Sequence, residues 1–351
     1  MKILIVCLPG IGDALMATTM IRLLKQKNPD AQIDVACMFG AVEYIFKNNP
    51  DINSIYRLPL YKENKLKGLR QIFNLRKNKY DISIVAFPAF RREYHLVHRL
   101  IGAKKRIAHK FQKGFWSELH FFNTNLVDVD EGQHNVINNL NLLKTLGIDW
   151  QKEINKEDVN YDLILDKEDI AFGVNYVKAL GWDKENIIGI HPGSTDSPAA
   201  IVRRWPIERY AEVAKFLIKE KQRKILIFVG PDEAGLGKKL LNLIDDNVNC
   251  RLVDNLKFSQ SIGLLNQITM LLCNDNGFGH VAAALGKKIV TLWASTNDKW
   301  SLPYNKKLVT LIRPEDFKPW YRYDLKRAIP KGKTGGMELI AATKLINLLK
   351  Q

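Results

Sequence analysis

Met1-Lys2-Ile3-Leu4-Ile5-Val6-Cys7-Leu8-Pro9-Gly10-Ile11-Gly12-Asp13 opens the chain. The unbroken apolar run is too short for a signal peptide or a membrane span. It reads as a strand covered on both faces, the kind that lies inside a parallel sheet. Pro9-Gly10 stops it, and the two glycines let the backbone turn sharply and approach a ligand. Helical spacing follows over 13–27 through Leu15, Met16, Thr19, Ile21, Leu23 and Leu24. Near the middle of the chain the order repeats: a strand over 187–191 runs into His191-Pro192-Gly193-Ser194. Both motifs put a small-residue loop at the carboxyl end of a first strand, where open α/β sheets bind ligands.

Outward from these two stretches the alternation continues. Further strands are expected at 32–37, 81–87, 104–108, 224–229, 269–273 and 288–293. Helices are expected near 63–77, 91–101, 133–146, 167–180, 207–220, 232–245, 258–266 and 277–285, with an amphipathic helix over 337–351. Strands alternating with helices imply a mostly parallel sheet with helices on both faces. The chain has 351 residues, and single cores stop growing at roughly 250–300, so two domains are expected. The polar, weakly periodic stretch 148–166 is the linker candidate, which gives domains at 1–166 and 167–336. Two such halves facing each other would form a cleft.

Apolar residues make up 46% and charged residues 26%, which suits a globular chain and excludes disordered or fibrous classes. The net charge of +16 speaks about partners. Between Arg91 and Lys113 eight basic residues face the single acid Glu93, and a second basic stretch runs from Lys318 to Lys333. Such runs are either solvated surface or contacts for phosphates and carboxylates of an anionic acceptor or membrane. No nucleic-acid-binding pattern accompanies them, so nucleic acid is not an expected partner. Cys7, Cys37 and Cys273 sit in apolar strand-like runs, Cys250 lies just before one, and no CxxC pair exists. That usage points to a reducing, cytoplasmic compartment. The histidines show no close metal spacing, and the Asp128-Val129-Asp130 pattern is too short to mean a metal, so neither metal nor cofactor is expected.

Four motifs carry candidate chemistry. Asp13, behind Gly10 and Gly12, is either a carboxylate favouring a helix start or a general base. Ser194 and Thr195 offer hydroxyls after a strand, and Arg203-Arg204-Trp205-Pro206 follows. Arginine forks suit phosphate, while the same stretch also reads as a solvated loop anchored by Trp205. Glu233, in Gly230-Pro231-Asp232-Glu233, would either bond ribose hydroxyls or favour a helix start. Asp275-Asn276-Gly277 opens a small-residue helix whose backbone N–H groups form an anion site. His280, one turn in, is either a core histidine or a phosphate neighbour.

In their order, Gly12-Asp13-Ala14-Leu15-Met16, His191-Pro192-Gly193-Ser194, Arg203-Arg204-Trp205-Pro206, Gly230-Pro231-Asp232-Glu233 and Asp275 through Gly286 span nearly the whole chain. Together they resemble glycosyltransferase family 9, the ADP-heptose lipopolysaccharide heptosyltransferases. The resemblance implies a GT-B fold of two facing Rossmann-like domains, with the helix at 337–351 packing back on the first. It implies inverting, metal-independent transfer from an ADP-linked nucleotide sugar to an anionic glycolipid, by a protein cytoplasmic or peripheral on the inner membrane face. Asp13 matches the family's base, Arg203 its diphosphate contact and Glu233 its nucleoside contact. The Asp275-to-His280 turn matches its diphosphate-binding helix start, with Asn276 where the family usually has threonine. Ser194, Thr195 and Arg204 are assigned with the donor, and Gly10, Gly12, Arg91 and Arg92 with the acceptor. Two other readings stay open: a nucleotide-sugar epimerase of the same fold, and a non-catalytic nucleotide-sugar or polyanion-binding protein.

Overall fold

A computed structural model describes all residues except 61–64, 89, 112–115, 156–157, 195–197, 306, 322–328, 330–331 and 351. Thr195 and Lys113 therefore lie outside the described residues, as does much of the second basic stretch. The chain divides into two compact units. Unit 1 comprises residues 1–164 with 299–304, and unit 2 comprises 165–298 with 305–351.

Unit 1 runs β1 (Lys2–Val6), α1 (Ile11–Lys27), β2 (Gln32–Cys37), α2 (Gly40–Phe46), β3 (Ser54–Arg57), α3 (Lys65–Lys77), β4 (Ile82–Val85), α4 (Arg92–Ile101), β5 (Lys105–Lys110), β6 (Asn125–Asp128), α5 (Asn135–Asn141) and α6 (Trp150–Glu153). Its strands form one parallel sheet in the order β3-β2-β1-β4-β5-β6. The chain builds outward from β1 to β3, then returns past β1 to lay down β4 to β6. Right-handed crossovers in opposite directions put α1 and α2 on one face and α3 and α4 on the other. The pleat follows suit: Leu4 and Val6 of β1 join Ile72 and Leu75 of α3 and Val97 and Ile101 of α4 in one core.

Unit 2 runs α7 (Lys167–Ala179), β7 (Ile187–His191), α8 (Pro198–Ile201), α9 (Ile207–Lys221), β8 (Lys224–Phe228), α10 (Ala234–Ile244), β9 (Cys250–Val253), α11 (Phe258–Leu265), β10 (Met270–Asn274), α12 (Gly277–Ala284), β11 (Lys288–Leu292), α13 (Asp298–Ser301), β12 (Val309–Ile312) and α14 (Ala342–Lys350). Its parallel order, β12-β11-β10-β7-β8-β9, repeats the plan of unit 1. This is the expected α/β architecture of two Rossmann-like sheets. No helix among the described residues is long and apolar enough to cross a membrane.

Three features differ from the sequence reading. The C-terminal helix was expected on the first half, yet α14 packs within unit 2. Leu345 is fully buried in a core shared with Trp205 and Tyr210, and Trp205 Nε1 donates to the Ile340 carbonyl at 2.8 Å. The apolar face of α14 finds its cover against α9, and its helical part begins only at Ala342. Second, part of the expected linker is fastened to α1. Thr19 Oγ1 donates to the Asn160 carbonyl at 2.6 Å, Thr18 Oγ1 accepts from the Asp162 amide at 2.9 Å, and Arg22 pairs with Asp162. Third, residues 299–304 belong to unit 1, where Trp300 Nε1 donates to the Glu131 carbonyl at 2.6 Å and His134 Nε2 to the Leu302 carbonyl at 2.8 Å.

Unit 1 also buries four histidines, His95, His98, His109 and His120. Asn123 Nδ2 donates to the His120 carbonyl at 2.8 Å, so its Oδ1 is the acceptor for His98 Nδ1–H at 2.8 Å. That leaves His98 Nε2 to accept from Ser83 Oγ. His109 Nε2 donates to the Asn138 carbonyl at 3.0 Å. Burial pushes both His98 and His109 down to about 4. Between that value and the ordinary histidine value near 6.5, the unfolded chain binds more protons than the folded one. Stability is therefore complete above about pH 6.5 and is lost as pH falls toward 4, by about 1 kcal/mol per histidine at pH 5.5. Thermal melts should drop by several degrees from pH 7.5 to 5.5, and His98→Gln should flatten that slope. Superimposable melts at the two pH values would contradict it.

Candidate active site

In unit 2 the strand order reverses between β7 and β10, which pair side by side with His191 opposite Cys273. Loops leaving these two strands run in opposite directions, opening a crevice at their carboxyl ends. The sequence-predicted donor residues of unit 2 that the structure describes gather there.

Asn276 caps α12. Its Oδ1 accepts from the Phe278 and Gly279 amides at 3.0 and 3.2 Å. The oxygen being fixed, Nδ2 must donate, and it reaches the Gly193 carbonyl and His191 Nδ1, both at 3.1 Å. His191 is then neutral with its proton on Nε2, facing Glu233 Oε2 at 3.7 Å. Burial lowers its pKa, against a smaller opposing pull from Glu233. The helix-start amides expected to bind phosphate are thus partly used: Asn276 already occupies two of them. What remains for an anion is the dipole of the α12 start and the neighbouring arginines.

Those arginines are held in place. Arg203 Nη1 donates to Asp275 Oδ2 at 3.0 Å, and its guanidinium lies 6.0 Å from the Tyr321 ring centre. Arg204 donates through Nε to Ser194 Oγ at 3.1 Å and through Nη2 to the Ser194 carbonyl at 2.6 Å. Ser194 is buried, and its hydroxyl donates to the Ala200 carbonyl at 2.9 Å. It orients Arg204. Trp205, buried against Tyr210, donates its amide to Asn274 Oδ1 at 3.1 Å, so the arginine pair is pinned to the end of β10. Glu233 follows β8 in a single 3-10 turn, with Oε2 accepting from the Gly230 amide at 3.0 Å. His280 is buried one turn into α12.

Asn274 and His191 border the sequence motifs but were given no site role there. Asn274 also accepts from Tyr210 Oη at 2.8 Å and donates to the Pro192 carbonyl at 2.7 Å, joining the loops after β7 and β10. A polar residue ending an otherwise apolar strand was the available signal.

Unit 1 reverses its strand order between β1 and β4. Gly10 precedes α1, and Asp13 lies in its first turn with Oδ2 accepting from the Gly10 amide at 3.2 Å. Arg91 precedes α4, which follows the neighbouring β4. Burial pushes the Tyr94 hydroxyl up to about 12, with Arg91 pulling it down and Asp13 pushing it up. Tyr94 thus senses both Asp13 and Arg91, which the fold brings to one edge. Arg92 does not join them: its side chain is exposed, with Nε 3.8 Å from Glu93 Oε1. Gly12 is buried within the first turn of α1.

Residues 69–323 match the family described as glycosyltransferase family 9 (heptosyltransferase). The chain belongs to glycosyltransferase family 9. This transferase is 25% identical over 320 residues to lipopolysaccharide heptosyltransferase 2 of Salmonella typhimurium, covering 88% of this chain and 86% of that one. Its fold is similar to that of E. coli ADP-heptose lps heptosyltransferase II, with a TM-score of 0.76, 20% identity, and coverage of 100% and 98%. It is likewise similar to E. coli heptosyltransferase WaaC solved with ADP, with a TM-score of 0.73, 16% identity, and coverage of 100% and 99%. Family and fold make it a GT-B glycosyltransferase, as the ordered motifs imply, and the epimerase and non-catalytic readings give way.

The transferase keeps Gly193 for a steric reason. A Cβ there would lie 2.2 Å from the Glu233 carboxyl group. Gly193→Ala should therefore push the Glu233 head aside, a cheap motion for a side-chain end, and weaken nucleotide-sugar binding at least tenfold while the melting temperature barely moves. Unchanged affinity by calorimetry would break the link between Gly193 and Glu233. Asn276→Ala removes the α12 cap, worth about 1–2 kcal/mol, and unties the Gly193 turn. It should lower both the melting temperature and the donor affinity.

Proposed function

We propose that this transferase moves heptose from an ADP-linked donor to a hydroxyl of a lipopolysaccharide-type acceptor, with inversion and without a metal ion. The arrangement at the β7/β10 crevice carries the proposal: two fixed guanidinium groups, a helix start and a buried carboxylate answer the parts of a nucleoside diphosphate. The matched family's heptosyltransferase description and the relatives named above support the heptose and the acceptor class. The chain's net charge of +16 suits an anionic glycolipid.

The chemistry follows from charge. As the bond from the anomeric carbon to the diphosphate oxygen breaks, negative charge gathers on the diphosphate. Arg204, aimed by Ser194, and Arg203, aimed by Asp275, stabilise it without reorganising. In this proposal Glu233 holds the nucleoside, His280 lies beside the phosphates, and Gly277 begins the helix that faces them; the role of Thr195 rests on the sequence motif alone. Asp13 takes the proton of the acceptor hydroxyl as its oxygen bonds the anomeric carbon opposite the leaving group. Gly10 and Gly12 let the acceptor approach closely, and Arg91 meets its anionic groups. Cationic stabilisation of the diphosphate is the role a metal would otherwise fill. The proposed location is the cytoplasm, at the inner membrane face.

Asp13→Asn keeps an oxygen for the Gly10 amide but no base. It should lower the transfer rate by about 100-fold or more while donor affinity stays at the wild-type value. Transfer at the wild-type rate would remove Asp13 from the mechanism. ADP and ADP-heptose, at about 100 times their dissociation constants, should stabilise the fold by about 2.7 kcal/mol, ahead of UDP and GDP counterparts. Equal shifts from all three bases would overturn the ADP assignment.

A further inference from the structure

The outer surface of unit 1 on the α3/α4 side carries a pattern that the transfer reaction does not use. Helix α3 buries Ile72 and Leu75 in the core below it. Its other side exposes Leu66 (78%), Leu69 (40%) and Phe73 (46%). Their spacing places them on one stripe of the helix. Lys67, Arg70 and Lys77 are also exposed, and α3 contains no acidic residue. Helix α4 repeats the pattern on its outward side, with Leu96 between Arg92 and Arg99. Arg76 Nη1 donates to the Leu100 carbonyl at 3.2 Å and clamps the two helices together.

The surface continues past α4. The Arg92 amide donates to Glu118 Oε2 at 2.9 Å, which ties the turn after β5 to the start of α4. That turn exposes Trp116 (75%), whose ring stacks on half-exposed Phe121 with centroids 5.4 Å apart. The crossovers from β3 to β4, β4 to β5 and β5 to β6 all run in the same direction, so they lie on the same face of the sheet.

Single exposed apolar residues are ordinary on protein surfaces. A helix with an outward apolar stripe whose charged flanks are all basic is not, because it leaves apolar surface in water beside charges of a single sign. We propose that this α3/α4 face, with the Trp116–Phe121 turn, docks on an anionic lipid bilayer. The basic flanks attract anionic headgroups while Leu66, Phe73 and Leu96 enter the boundary beneath them. Tryptophan suits that boundary because its ring is apolar and its N–H is polar. Charge complementarity selects an anionic surface: among the described residues of α3 and α4 the exposed acid is Glu93, and it lies beside Arg92. The proposal does not rest on heptose transfer, although it would bring the enzyme to where a lipid-linked acceptor resides.

The test uses the full chain without donor or acceptor, floated with vesicles of phosphatidylglycerol in phosphatidylcholine or of phosphatidylcholine alone. Wild-type protein should bind the anionic vesicles, lose binding as salt rises, and ignore the neutral ones. Lys67→Ala/Arg70→Ala/Lys77→Ala should bind roughly 100-fold more weakly, and Leu66→Glu/Phe73→Glu should fail to bind. Both should melt like wild type, because the altered side chains are exposed. Val248→Glu, at an exposed apolar site of unit 2 (71%), should bind normally. Failure of the wild type to bind anionic vesicles, wild-type binding by either multiple variant, or equal loss in Val248→Glu would overturn the proposal. Each of these results would leave the transferase reading untouched.

Discussion

A parallel sheet built by right-handed crossovers can keep helices on both faces only if the chain reverses direction once. At that reversal two neighbouring strands send their loops apart, and a crevice follows from topology alone. Both units obey this constraint, between β1 and β4 and between β7 and β10. The candidate site is a consequence of that geometry. Asp13 and Arg91 precede or open the helices after β1 and β4, while Ser194 and Asn276 follow β7 and β10.

The same constraint explains which parts of the fold were legible in the sequence. The eight strands expected from apolar runs are the inner strands of the two sheets, covered by helices on both faces and, apart from β2 and β5, mainly apolar. The four strands that gave no usable signal are β3, β6, β9 and β12. Each has four residues and each is a sheet edge. An edge strand such as Ser-Ile-Tyr-Arg is only half covered, so it needs no apolar run, and its length is at the lower limit over which alternation can be counted. The displaced C-terminal helix has a different cause. Its amphipathic pattern required a partner surface but could not say which one, and the Trp205–Tyr210 core of unit 2 supplied it.

At the candidate site, residue types were legible and their division of labour was not. The arginine pair, Glu233 and the Asp275–Asn276 turn come together as the motif order implied. What a linear sequence could not display is that Ser194 spends its hydroxyl on Ala200 and Arg204, or that Asn276 spends its oxygen on the helix start. Hydrogen bonds between residues about 70 to 85 positions apart, such as Arg203 with Asp275 and Asn276 with Gly193 and His191, have no local signature. The Trp205 anchor, weighed in the sequence against an arginine contact with phosphate, does not exclude that contact: the buried indole fixes the backbone from which both guanidinium groups extend.

The bridge made by Asn276 has an energetic meaning beyond holding two loops together. Because the turn, the arginine forks and the Glu233 carboxylate already have their partners in the protein itself, a ligand arriving there does not have to order them. The conformational entropy of those loops is spent during folding and not again at each turnover. A donor that must be gripped, relieved of its sugar and released as a diphosphate benefits from such rigidity in a specific way. Under the proposed mechanism its affinity can stay moderate, so release stays fast, while the arginines remain aimed at the place where charge would develop.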